Sequence, residues 1–287
     1  MEKVIIILSL YIYPVCFAQG VANQEGKVKE PYYTVGFNAV NCFINICVND
    51  VSVFSMNIDG QVSTRIPINN AILKSGSQQV RYRILPSSGE LSLQENTIFK
   101  ASVWLCDAGG DYIEQIEELN VYEIPKITDS IPVPSYQHET SFVADVPFDL
   151  SEKSWLNSAD LNKIDGLRDL VDKTYKKLED IFVSGQYAQF IQMIAERENN
   201  LAISMYLDEQ MKEARLKSLL DTLQSGDFKL VPTSPLDTMV IFGNGKLVKL
   251  TKPDGSSAFV LINPDGDELS IELKFHLREG SNELTII

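Results

Sequence analysis

Residues 34–56 read TVGFNAVNCFINICVNDVSVFSM. β-Branched and aromatic residues crowd this stretch up to Val48, which favours extended chain. Asn49-Asp50 then offers two residues that tolerate positive φ, so a tight hairpin turn is expected before VSVFSM. Working outward, Asp59-Gly60 offers a further turn before QVSTRIPI. Ser75-Gly76 precedes QQVRYRIL, where Val80, Tyr82 and Ile84 alternate with Arg81 and Arg83. Ile98–Leu105 and Tyr112–Tyr122 supply later strands, the second with a Glu-rich piece that also suits a helix. Turn signals every eight to twelve residues or so predict an all-β sandwich over 31–123.

The phrase INNAILKSGSQQVRYRILP (68–86) resembles one found in secreted jelly-roll and carbohydrate-binding-like sandwiches. That resemblance implies a sandwich and carries no ligand with it. Pro125, Pro132, Pro134 and Pro147 then punctuate a stretch without period, which reads as a linker over 124–157.

Residues 158–287 change character and predict an α+β domain. Leu161, Ile164, Leu167, Val171, Leu178 and Phe182 recur at helical spacing, with Ser158 as N-cap and Ser184-Gly185 as the stop. A second helix carries Tyr187, Phe190, Ile191 and Ile194. A third spans Leu201–Leu223, burying Met205, Met211, Leu216, Leu219, Leu220 and Leu223, and ends at Ser225-Gly226. Ser-Gly-Gln-Tyr and Ser-Gly-Asp-Phe read as one glycine C-cap used twice. VIF, KLVKL, AFVLI and LSIELKFHL follow as a four-stranded antiparallel meander under three helices. In the last strand Ile271, Leu273, Phe275 and Leu277 share a packed face, and Glu272, Lys274 and His276 share a wet one. Helices, a Ser-Gly-aromatic phrase and then a meander make residues 160–277 resemble the NTF2-like (cystatin-like) group, which implies a sheet curled around helices and brings no site residues.

Between these strands, Gly243-Asn244-Gly245-Lys246 looks like a phosphate loop, and Asn263-Pro264-Asp265-Gly266-Asp267 like a calcium loop. The first is too short for a nucleotide loop and continues as strand, not helix. The second lacks the acid spacing of an EF-hand. Both read as turns, as does Pro253-Asp254-Gly255.

The amino terminus, MEKVIIILSLYIYPVCFAQG, has the n-, h- and c-regions of a signal peptide, residues 1–18, with cleavage expected after Ala18. Val15 before Cys16 speaks against lipid anchoring there. Periplasmic or secreted location is therefore expected of a bacterial host. Export permits a disulfide, and Cys106 has either Cys42 or Cys47 as a candidate partner; Cys42 and Cys47 lie five apart, on opposite faces of one strand. Buried, unreactive thiols are the simpler expectation.

The formal net charge of −14 excludes non-specific nucleic-acid binding and an anionic membrane surface. Residues 20–150 hold 16 acids against 8 bases, so the surplus sits mainly in the first half. Neither a GxSxG elbow nor a CxxC pair occurs, and of the two histidines His138 lies in the linker. Glu117-Glu118 and Asp208-Glu209 are side by side and do not converge. Trp155 suits a docking anchor, and Trp155 and His276 are the candidate interaction residues. The expectation is an exported, non-enzymatic binding protein without cofactor, its partner a basic protein or a small ligand; neutralising a toxin in the periplasm is one form. An enzyme with a pocket in the α+β half and a carbohydrate-binding surface are the alternatives.

Overall fold

The computed structural model describes residues 5–7 and 28–287, apart from 129–130, 226–227 and 254. The expected cleavage site after Ala18, Cys16 and the second glycine cap at Gly226 lie outside the described residues. Ile5–Ile7 (β1) pairs in parallel with a strand near the carboxyl end, described below. The chain divides into two compact units, one ending at residue 149 and the other joining β1 to residues 150–287.

The first unit is a curled antiparallel sheet of six strands: β2 (Pro31–Val48), β3 (Val51–Pro67), β4 (Gly76–Leu85), β5 (Ile98–Asp107), β6 (Glu114–Glu123) and β7 (Tyr136–Ala144). β2 and β3 form the expected hairpin. Val48 faces Val51 across Asn49-Asp50, whose φ angles of 51° and 63° are those of a type I′ turn. The sheet curls because β2 changes partner halfway. Residues 31–40 pair with β5 and residues 43–48 with β4, on the edge opposite β3. The change falls at Asn41, with φ 47°, where its side-chain oxygen accepts from Gly60 N–H at 2.8 Å. Asp59-Gly60 is therefore a bulge within a continuous β3 and not a hairpin turn.

The β5–β6 and β4–β7 wings turn toward each other. Buried Tyr82 on β4 reaches Phe99 on β5 at 5.6 Å and Tyr122 on β6 at 5.7 Å between ring centres. Tyr122 stacks on His138 of β7 at 4.0 Å and 2°, and Asn120 donates to Thr140 at 2.6 Å. β7 lies inside 124–157, so that stretch holds a nine-residue strand paired with β4 from Gly76 to Ile84. The prolines flank it, which is why it reads as linker. The Glu-rich piece is strand β6. Among the described residues, Cys42, Cys47 and Cys106 are buried and outside any disulfide; burial pushes the Cys42 thiol up to about 11.

The second unit holds four helices: α1 (Leu167–Val183), α2 (Tyr187–Met193), α3 (Ala195–Ser204) and α4 (Glu209–Ser225). α1 ends as expected, at Ser184 with Gly185 at φ 69°, and with paired bonds from Gln186 N–H to Ile181 and Gly185 N–H to Phe182. The single helix expected over 201–223 is broken. Tyr206, at φ 57°, makes the same paired-bond stop that glycine makes after α1, and Asp208 caps α4 by accepting from Met211 N–H at 2.7 Å. Met211 is consequently exposed.

Seven short strands complete this unit: β8 (Lys229–Leu230), β9 (Thr238–Phe242), β10 (Leu247–Thr251), β11 (Val260–Ile262), β12 (Glu268–Ser270), β13 (Phe275–Leu277) and β14 (Leu284–Ile286). They do not form one meander. β8, β11, β12 and β1 make one sheet, and β9, β10, β13 and β14 another. LSIELKFHL splits between them as β12 and β13. Two of the expected turns join neighbouring strands. Gly243–Lys246 closes the β9–β10 hairpin, Phe242 opposite Leu247. Asn263–Asp267 closes β11–β12, with Asn263 accepting from Asp267 N–H at 2.8 Å. Gly266 sits at φ 87°, and no atom lies within 4 Å of where a Cβ would stand, so a side chain there meets strain but no clash. Gly266→Val is expected to cost about 1–3 kcal/mol, and Gly266→Asn clearly less, read from urea midpoints. Equal stability of the two variants would contradict this turn.

The core of this unit joins both sheets to the helices. Phe182, Phe190 and Phe259 pack ring to ring at 5.1–5.7 Å. Tyr175 on α1 packs on Phe275 at 5.3 Å, and its hydroxyl accepts from Leu250 N–H at 3.0 Å.

Candidate functional site

Ser154–Asn162 crosses the sheet of β9, β10, β13 and β14 in two 3₁₀ turns, Trp155–Asn157 and Leu161–Lys163. The Ser154 side chain caps the first by accepting from Leu156 N–H, and Asp160 caps the second by accepting from Asn162 N–H. Ser158 therefore does not begin α1, which starts nine residues later behind Gly166. Ser158 instead bridges to Arg278, next to β13.

There Ser158 Oγ lies 2.6 Å from His276 Nδ1. Three further bonds fix the crossing. Lys246 Nζ donates to the Ser158 carbonyl at 2.5 Å, Ala159 N–H to Leu277 at 2.8 Å, and Leu161 N–H to Gly245 at 2.8 Å. Trp155, whose carbonyl accepts from Ser158 N–H at 3.0 Å, is buried. Ser158, expected as a helix cap, thus bonds to both the Trp155 backbone and the His276 ring, and Lys246, expected in a turn, bonds to Ser158.

Neither Ser158 nor His276 is open to solvent. His276 is 0% exposed and Ser158 2%. Alternation predicts a wet strand face for His276; in the structure the ring is buried, with Ser158 of the crossing segment against it. Burial, with a smaller contribution from Arg278, pushes the imidazole down to about 4, so it is neutral at physiological pH. Its Nε2 has no hydrogen-bond partner among the described residues.

A serine beside a histidine suggests nucleophilic catalysis, but the geometry lacks its requirements. An activated serine needs room for a substrate, and a base oriented by a third group on its other nitrogen. Here the other nitrogen is unpartnered and the hydroxyl is buried. The pair joins the crossing segment to β13. Two surface depressions lie elsewhere in this unit. One of about 340 Å³ lies along α4, and one of about 470 Å³ lies between α1 and α2, rimmed by Lys173, Lys176 and Lys177. Both are open to solvent rather than enclosed, unlike a substrate cavity. Among the described residues no three His, Cys, Asp or Glu side chains gather as metal ligands. No described helix is long and apolar enough to cross a membrane.

On the first unit the notable surface is β6. Glu114, Glu117, Glu118 and Glu123 are exposed along it, with Ile116 and Val121 exposed among them. Of the four, only Glu123 has an ion-pair partner among the described residues, Lys100 at 3.8 Å. Among the described residues β6 has a backbone ladder with β5 alone, and its Asn120 and Tyr122 side chains meet β7.

Comparison with family models, with curated proteins and with solved structures found no match for this chain.

Proposed function

We propose that the protein is exported and works by binding, with the acidic β6 edge as the contact for a basic segment of a partner protein. The supporting observation is that edge: four exposed glutamates and two exposed apolar side chains on a ten-residue strand with one ladder partner. A partner segment rich in lysine or arginine would meet opposite charge along Glu114–Glu118, away from the Asn120 and Tyr122 contacts with β7. In this reading the chain is a two-domain protein, an all-β sandwich-like first domain followed by an α+β domain. A toxin neutralised in the periplasm is one partner of suitable chemistry. Cleavage after Ala18 would remove β1 and leave β12 as an edge of its sheet. The burial of the Ser158–His276 pair and the openness of the depressions speak for binding over chemistry, and buried Trp155 offers no face on which to stack a sugar.

The test is retention of host proteins on the immobilised chain, wild type against Glu114→Lys/Glu117→Lys/Glu118→Lys. The wild type is expected to retain a basic protein at moderate salt and release it at high salt, and the variant to retain none. Equal retention by both would refute the β6 contact.

A further inference from the structure

We propose that the Ser158–His276 pair is a protonation-sensitive latch, holding residues 154–162 on the sheet at neutral pH and releasing them in mild acid. This goes beyond the binding surface on β6 and does not depend on it.

The geometry gives the latch one weak point. Neutral His276 is satisfied at Nδ1 by Ser158, and its buried Nε2 carries no bond. Protonation leaves the Ser158 bond in place but makes Nε2 a charged donor with no acceptor, a state far costlier in the interior than a neutral orphan. The charged groups on the surrounding elements do not relieve it. Arg278 follows on the same strand, and Lys246 comes from the β9–β10 turn, both positive. β10 brings Lys249, which holds Glu272 at 2.6 Å. α3 brings Glu196, paired with Arg278, and Glu198, held by Arg197 and by Arg215 at 2.7 Å. On the crossing segment itself Asp160 is paired with Lys163 at 3.0 Å. β14 sets uncharged Thr285 opposite His276. Each of these four carboxylates already has a cation.

Water can reach Nε2 only if a covering element moves, and the crossing segment is the lightest of them. It is held by four hydrogen bonds, by Trp155 and by Leu161, its one member of the unit's core, whereas each helix and sheet around it brings several. It lies in the chain between residue 149, where the first unit ends, and α1. Released, it becomes a longer free tether at that boundary.

Amide hydrogen exchange on the full chain, corrected for intrinsic rates, tests this. Protection of Ala159 and Leu161 is expected to fall at least about tenfold between pH 6.5 and 4.5, with that of Leu250 kept. In His276→Gln the fall is expected to vanish. Loss at all three amides together, no loss, or the same loss in the variant would each overturn the proposal. A second reading keeps the native histidine: Trp104→Phe leaves Trp155 as the one tryptophan. Its emission is expected to shift to the red in acid before the helical circular dichroism changes. Emission constant until the helices unfold would overturn the latch.

Discussion

Phe259→Ala is expected to destabilise the 150–287 unit by about 3–5 kcal/mol, the largest effect of any single truncation considered. Phe259 is fully buried. It stacks near-parallel on Phe190 at 5.7 Å and meets Phe182 edge-on at 5.5 Å, so it touches α1 and α2 from the strand side. Truncation removes the apolar surface of one ring and leaves two others facing a void. The void is hard to refill, because all three rings belong to different elements whose positions other contacts fix. Urea unfolding followed by helical circular dichroism measures the loss. A cost under about 1 kcal/mol would mean that α1 and α2 do not dock on β11 as described.

Acid is expected to cost the same unit about 3 kcal/mol through His276 alone. The sign follows from where protons bind. Unfolded, the imidazole has its ordinary value near 6.5; folded, burial holds it at about 4. Between those values the unfolded chain takes up a proton that the folded chain refuses, so stability falls as pH drops. The contribution is complete above about 6.5, is lost progressively below it, and changes no further under about 4. Wild type and His276→Gln should therefore converge in relative stability as the solution is acidified. Parallel pH profiles of the two would mean that His276 titrates alike in both states.

Much of the local structure was legible because single residues decide it. Asn49-Asp50, Gly243–Lys246, Asn263–Asp267 and Gly185 each need positive φ, which few residue types supply cheaply, so their positions mark turns and a helix end. Tyr206 makes the same helix end without glycine, and so α3 and α4 read as one helix. Asn41 turns β2 from one partner to another, a change that follows from the pairing of strands far apart in the chain. Alternation correctly marked Ile271, Leu273, Phe275 and Leu277 as buried, although 271–274 link strands of two sheets and the four share no single strand face. It could not show that His276 is buried too, since alternation states which residues share a face and not what lies over it. The Ser158–His276 contact spans 118 residues, and no spacing rule reaches that far.

Everything said of the site turns on His276 being buried and neutral. The most direct measurement is an NMR titration of its imidazole C–H signals in the His138→Gln chain, where it is the one remaining histidine. The account predicts no titration until the pH falls below about 5, with any loss of the native signal following the release of the crossing segment. Reversible titration of the native signal near 6.5 would show a solvated imidazole and contradict the account.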